Sequence, residues 1–129
     1  MVSLKYKAAR ALCDQHVKDG LFRVICSGPI CKTAFCLFQD EVIHRAESAS
    51  AIIGDMGNAV LLMDEPPDVT SETFGNMAPA AVIVRREELW FWSDYARRCA
   101  DVGVTVTVFL LEQRDLAVRW AEALARQAV

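Results

Sequence analysis

Apolar residues recur along this chain in two rhythms. Short, dense runs rich in β-branched and aromatic residues alternate with longer segments whose apolar positions fall three and four apart. The opening string LKYKAARALCDQHVKD places Leu4, Ala8, Leu12 and His16 on one helical stripe, with Asp19-Gly20 as its stop. The competing reading of residues 1–20 makes Leu4-Lys5-Tyr6-Lys7 an alternating edge strand. LFRVICSG then reads as a strand ended by Ser27-Gly28-Pro29. ICKTAFCLFQDEVIHRA reads as a helix, with Pro29 near its first turn and Cys31, Ala34, Phe35, Phe38 and Val42 on its apolar face.

SAIIGD is a short strand. NAVLLMDE fits either a helical turn or two or a second strand, and Asp55 ahead of Gly57 and Asn58 resembles a helix N-cap. A short helix is therefore expected there. PPDVTSETFGNMAP has no periodicity and is long for a connection, a feature of functional loops. AAVIV is apolar throughout, as in strands buried on both faces. REELWFWSDYARRCADVG is a helix with Leu89, Trp92, Ala96 and Cys99 or Ala100 inward, ended by Gly103. VTVTVF is a strand, and EQRDLAVRWAEALARQA closes the chain as a helix with Leu116, Ala117, Trp120, Ala121 and Leu124 on one side.

Strands alternating with helices predict an α/β fold: a single sheet of four to five mostly parallel strands flanked by helices. The connections after the strands then share one edge. Asp55, Met56, Gly57 and Asn58 are expected at that edge, where ligands and partners bind.

Composition narrows the classes. At 129 residues the chain has the length of one domain, and 53% hydrophobic residues exclude a disordered one. Net charge is −3 with no long run of one sign, so nucleic acid is not an expected partner. No apolar run is long enough to span a membrane. MVSLKYKAAR lacks the apolar core of a signal peptide, and five cysteines, an odd number, suit a reducing compartment. A cytoplasmic location is expected.

Three segments resemble the STAS domain, the family of anti-sigma-factor antagonists and sulfate-transporter tails, and in particular its divergent, stand-alone bacterial branch. They are CSGPICKTAFCLFQDEVI, SAIIGDMGNAVLL and PAAVIVRREELWFWSDYARRCADVGVTVTVFLLEQRDLAVRWAEAL. The resemblance implies a regulatory domain that binds another protein, such as a kinase or sigma-factor regulator, or a second copy of itself as a dimer. It implies no cofactor. In the typical member a serine or threonine follows an acidic residue at the second loop and is phosphorylated, adding nearly two negative charges to the contact surface. Here Met56, Gly57 and Asn58 follow Asp55, and none carries a hydroxyl. Thr70 and Ser71, with Thr73, lie further on in the 66–79 loop.

Other chemistry competes with plain packing. Cys26, Cys31 and Cys36 lack the paired spacing of a zinc site, and Cys31 and Cys36 on one helix point about 140° apart. A nucleophilic Cys26 at a strand–loop–helix anion site is a further reading, but CSGPICK lacks the arginine fork that closes on an anion. His16 and His44 are candidate bases, and Asp40 beside His44 reads equally as a surface pair. Trp90-Phe91-Trp92 cannot all face inward on one helix. Trp90 and Phe91, with Thr70 and Ser71, are therefore interface candidates, unless the final helix covers the tryptophans. No catalytic residue and no metal ligand is assigned.

Overall fold

The computed structural model describes residues 13–74 and 77–127. Five strands form one sheet in the order β1-β2-β3-β4-β5: Cys13–Lys18, Leu21–Cys31, Ala51–Leu62, Ala80–Val84 and Val106–Leu110. β1 is antiparallel to β2, and β2 to β5 run parallel. The helices are α1 (Lys32–Arg45), the single turn α2 (Ser71–Phe74), α3 (Leu89–Asp101) and α4 (Arg114–Gln127). The expected α/β class and mostly parallel sheet are what the chain adopts.

Because the strands lie in chain order, crossovers of one hand carry each connecting helix to the same side. α1, α2 and α3 accordingly share one face. Phe35 is the hub there, with ring centroids 5.6 Å from Phe91, 5.7 Å from Trp92 and 5.5 Å from Tyr95. These rings pack on Phe22, Val24, Ile52, Met56 and Val82 of the sheet. Among the described residues only α4 covers the opposite face. Its buried stripe is Ala117, Ala121 and Ala125, set against Ala51, Ile53, Ala81 and Ile83.

Four expectations are corrected. The helix over residues 4–19 does not form across its second half, because Cys13–Lys18 is a strand paired with Leu21–Cys26. Asp19 and Gly20 both have positive φ, 54° and 79°, as a two-residue hairpin turn requires. They turn the chain rather than stop a helix. The alternative strand at Leu4–Lys7 lies outside the described residues. Ser27-Gly28-Pro29 does not end β2, which runs on to Cys31, with Pro29 paired to Val60. α1 therefore begins at Lys32, leaving Cys31 exposed before it. Finally, the short helix after Asp55 is absent. β3 continues unbroken to Leu62.

Two buried stripes also shift within their helices. Along α3 the buried residues are Phe91, Trp92, Tyr95 and Cys99. In α4 the stripe centres on its alanines and turns Leu116 to solvent.

Candidate functional site

β3 carries a bulge where a loop was expected. Ile25 pairs with Asp55 and Ser27 with Asn58, so Cys26 alone faces Met56 and Gly57. One extra residue in a strand reverses its side-chain alternation. Ile52 and Met56 point into the aromatic core before the bulge, and Ala59 and Leu61 do so after it. Asn58, Val60 and Leu62 thus fall on the opposite face.

Asp55 holds this bulge to α4. Its Oδ1 accepts the Gly57 N–H at 3.0 Å, closing the kink. Arg114, the first residue of α4, donates from Nε to Oδ2 at 3.1 Å and from a terminal nitrogen to Oδ1 at 3.3 Å. Gly57 suits the close approach: a Cβ there would lie 2.5 Å from Leu111 Cδ2 and 3.2 Å from the Arg114 guanidinium, so both side chains would have to shift to admit one. Asp55 is therefore a strut, neither an N-cap nor a free loop carboxylate.

Beyond the bulge β3 outruns its neighbour β4, whose pairing with it ends at Asp55 and Ile83. Side chains from the β4–α3 turn take over that edge. Glu88 accepts the Leu61 N–H at 2.8 Å, and Arg85 donates to the Ala59 carbonyl at 3.2 Å. Arg85 and Glu88 also pair at 3.3 Å. The two mimic the missing strand, and among the described residues β2 and β3 project past the other strand tips as a two-stranded parallel ribbon.

Among the described residues no helix lies on one face of that ribbon. Ile25, Val60 and Leu62 are 46%, 43% and 58% exposed. Val60 lies beside exposed Pro29, and Leu62 beside exposed Cys31. Leu116, on the first turn of α4, is exposed on the same side of the sheet. These residues were missed from sequence, because the phase reversal at Met56-Gly57 hides which of the following apolar residues face out.

The sequence candidates are dispersed. Met56 is buried, and of the four residues at the bulge only Asn58 is exposed. Thr70 and Ser71 are exposed, but their segment packs on the aromatic side: the Pro66 carbonyl accepts from Arg98, and Phe74 packs on Tyr95. Asp55 faces α4 instead, so the structure separates the two sets. Trp90 is 54% exposed, while Phe91 is buried and cannot serve as a contact residue. Trp92 is buried by Phe35 and Tyr95 rather than by the final helix.

Cys26 is buried in the aromatic-side core, within a strand and away from any helix N-terminus. The proposed thiol–anion loop does not form. His16 sits in β1 opposite Arg23, and His44 is exposed near the end of α1. Among the described residues no three His, Cys, Asp or Glu side chains converge on a common metal position. Two of the groups with a shifted pKa, Tyr95 and Cys99, lie inside the core. Burial pushes the Cys99 thiol up to about 11, and burial with the neighbouring Cys99 raises the Tyr95 phenol well above its ordinary value. The Tyr95 hydroxyl donates to Gln39 Oε1 at 2.6 Å. No described helix is long and apolar enough to cross a membrane.

Compared with known proteins, the chain matches no family model, no curated protein and no solved structure.

Proposed function

We propose that this chain is a non-catalytic, cytoplasmic bacterial regulatory domain of STAS-like type that works by docking onto another protein through the bare face of the β2–β3 ribbon. The observation that carries the reading is Val60 and Leu62, exposed beside Pro29 and Cys31 on a sheet face that no described helix covers, with Ile25 exposed further along the same face. Scattered exposed leucines are ordinary, whereas Val60 and Leu62 stand two apart on one strand face with Pro29 and Cys31 beside them, the kind of apolar patch that marks a contact surface. The Asp55–Arg114 strut and the Arg85–Glu88 latch hold that patch in one shape, so docking needs little ordering of the domain itself. The burial of Cys26 speaks against a thiol enzyme. The partner class, a kinase or sigma-factor regulator, comes from the resemblance alone.

The test is co-expression with any kinase, phosphatase or sigma-factor regulator found encoded beside this chain, and of the chain alone, followed by size-exclusion chromatography. The expected result is a complex with the native chain that is lost on Val60→Glu with Leu62→Glu, in a variant whose circular dichroism is unchanged. Equal complex formation by both chains overturns the docking face. A homodimer lost in the same variant replaces the partner with a second copy.

A further inference from the structure

The β1–β2 hairpin sets two cysteines opposite each other in its ladder. Cys13, the first residue of β1, pairs with Cys26 of β2. Opposed pairs in an antiparallel ladder alternate between those that exchange backbone hydrogen bonds and those that do not. Residues flanking a two-residue turn exchange them. Counting outward from the flanking pair, Lys18 and Leu21, makes Cys13 and Cys26 a pair without mutual bonds. The far side of β2 agrees. The Gly20 carbonyl accepts from Ala51 of β3, so by alternation Phe22, Val24 and Cys26 direct their backbone groups to β3 and away from β1.

That register suits one covalent bond. Residues in such a pair have Cα atoms about 4.5 Å apart, within the roughly 4.4–6.8 Å that a disulfide bridges. Opposed residues also share a face of the sheet. Cys26 is fully buried on the aromatic side and is the one residue opposite Met56 and Gly57 at the bulge. β1 is the edge strand, so the pair lies one strand from the rim of the sheet. Cys31 pairs with Leu62, and Cys36 and Cys99 lie on helices, so none of these has a cysteine as its register partner.

We infer that Cys13 and Cys26 are a redox-responsive pair that closes into a cross-strand disulfide when a low-molecular-weight disulfide accumulates. One thiolate of the pair attacks a sulfur of the small disulfide and expels its first thiolate, leaving a mixed disulfide. The second cysteine gives its proton to water, attacks the protein sulfur of that mixed disulfide and expels the other small thiolate. Two protein thiols are oxidised and one small disulfide is reduced to two thiols. The bond closes the hairpin into a ring from residue 13 to residue 26 and ties β1 to the base of the ribbon. It forms or fails whatever docks on the ribbon face, so the inference does not depend on that reading.

The test equilibrates the folded chain with a series of reduced-to-oxidised glutathione ratios, alkylates it in urea and digests it with trypsin. Peptides 11–18 and 24–32 carry the pair. Cys31 shares the second peptide, so a Cys31→Ser chain is treated alongside. The expected result in both chains is a joined 11–18 and 24–32 species, a mass lower by two hydrogens and no crosslink between chains on a non-reducing gel. Tm should rise with oxidation, because the ring restricts the unfolded chain, and dithiothreitol should restore the reduced value. Cys13→Ser, with native circular dichroism, should lose both the joined peptides and the Tm rise. The inference is overturned if Cys13 and Cys26 remain fully alkylated after excess oxidised glutathione, or if the bond joins another pair or disappears with Cys31→Ser.

Discussion

The two faces of the sheet solve the same burial problem with opposite materials. On one side three helices stand on large rings, Phe35, Phe74, Phe91, Trp92 and Tyr95, which keep helix and sheet apart and leave a cavity between them. On the other a single helix lies close, because its contact residues are Ala117, Ala121 and Ala125 against Ala51 and Ala81. Rings bring large apolar area at the cost of shape mismatch, whereas alanines pack tightly but reach only what lies directly beneath them. The alanine face consequently leaves the outer ribbon of β2 and β3 bare. Both features follow from this difference: the cavity from oversized residues, the exposed patch from undersized ones.

Truncation on the ring face should have the largest effect. Phe35 touches three other rings, and Phe35→Ala leaves a hole that α1 and α3 cannot both close. The expected loss is about 3–5 kcal/mol in urea unfolding. A loss under about 1 kcal/mol would mean that the ring layer is fluid and that its cavity is not a fixed feature.

Alkali should attack the same face. The Cys99 thiol, held up to about 11 by burial, keeps its proton in the folded state after the unfolded chain has lost it near 9.0. The folded state then binds more protons than the unfolded one, so stability falls as pH rises from about 9 to about 11. At about 1.4 kcal/mol per pH unit the loss approaches 3 kcal/mol. Tyr95, raised in the same direction, extends it above pH 10. Cys99→Ala should flatten the first part of this decline in a series of thermal melts.

Enlargement should be the characteristic injury of the alanine face. Ala121 is fully buried against the sheet, and Ala121→Leu should cost about 1–3 kcal/mol by lifting α4. Hydrogen exchange should then speed in α4 ahead of α3. Uniform acceleration would show instead that the two layers open as one unit.

Much of this architecture was legible in the chain. AAVIV and REELWFWSDYARRCADVG announce a buried strand and a helix because each pattern is long or pure enough to exclude the alternative. The hairpin was legible as well, since Asp19-Gly20 is among the strongest two-residue turn signals, but helical spacing upstream outweighed it. The bulge was not. NAVLLMDE hides its strand alternation because its outward residues Val60 and Leu62 are as apolar as its inward ones, the phase shift at Met56-Gly57 breaks its continuity with SAIIGD, and the Asp55 partner that stabilises the kink, Arg114, is remote in sequence. The same remoteness hid Arg85 and Glu88, whose role as a substitute strand depends on β4 ending early.

The smallest stability effect belongs to the residues proposed to matter most for docking. Val60→Ser with Leu62→Ser removes apolar surface that is already about half in water, so the folded state loses little burial. Their β-strand preference still favours the native residues slightly, and the two terms together should leave unfolding within about 0.5 kcal/mol of the native value. Urea melts of native and double-variant protein check this directly. A much larger loss would mean that something in the domain already covers the ribbon, turning the patch into core. A near-zero change, together with loss of the co-purified partner, would assign the surface to recognition, because a residue that contributes nothing to folding and much to binding has been kept apolar for the second purpose.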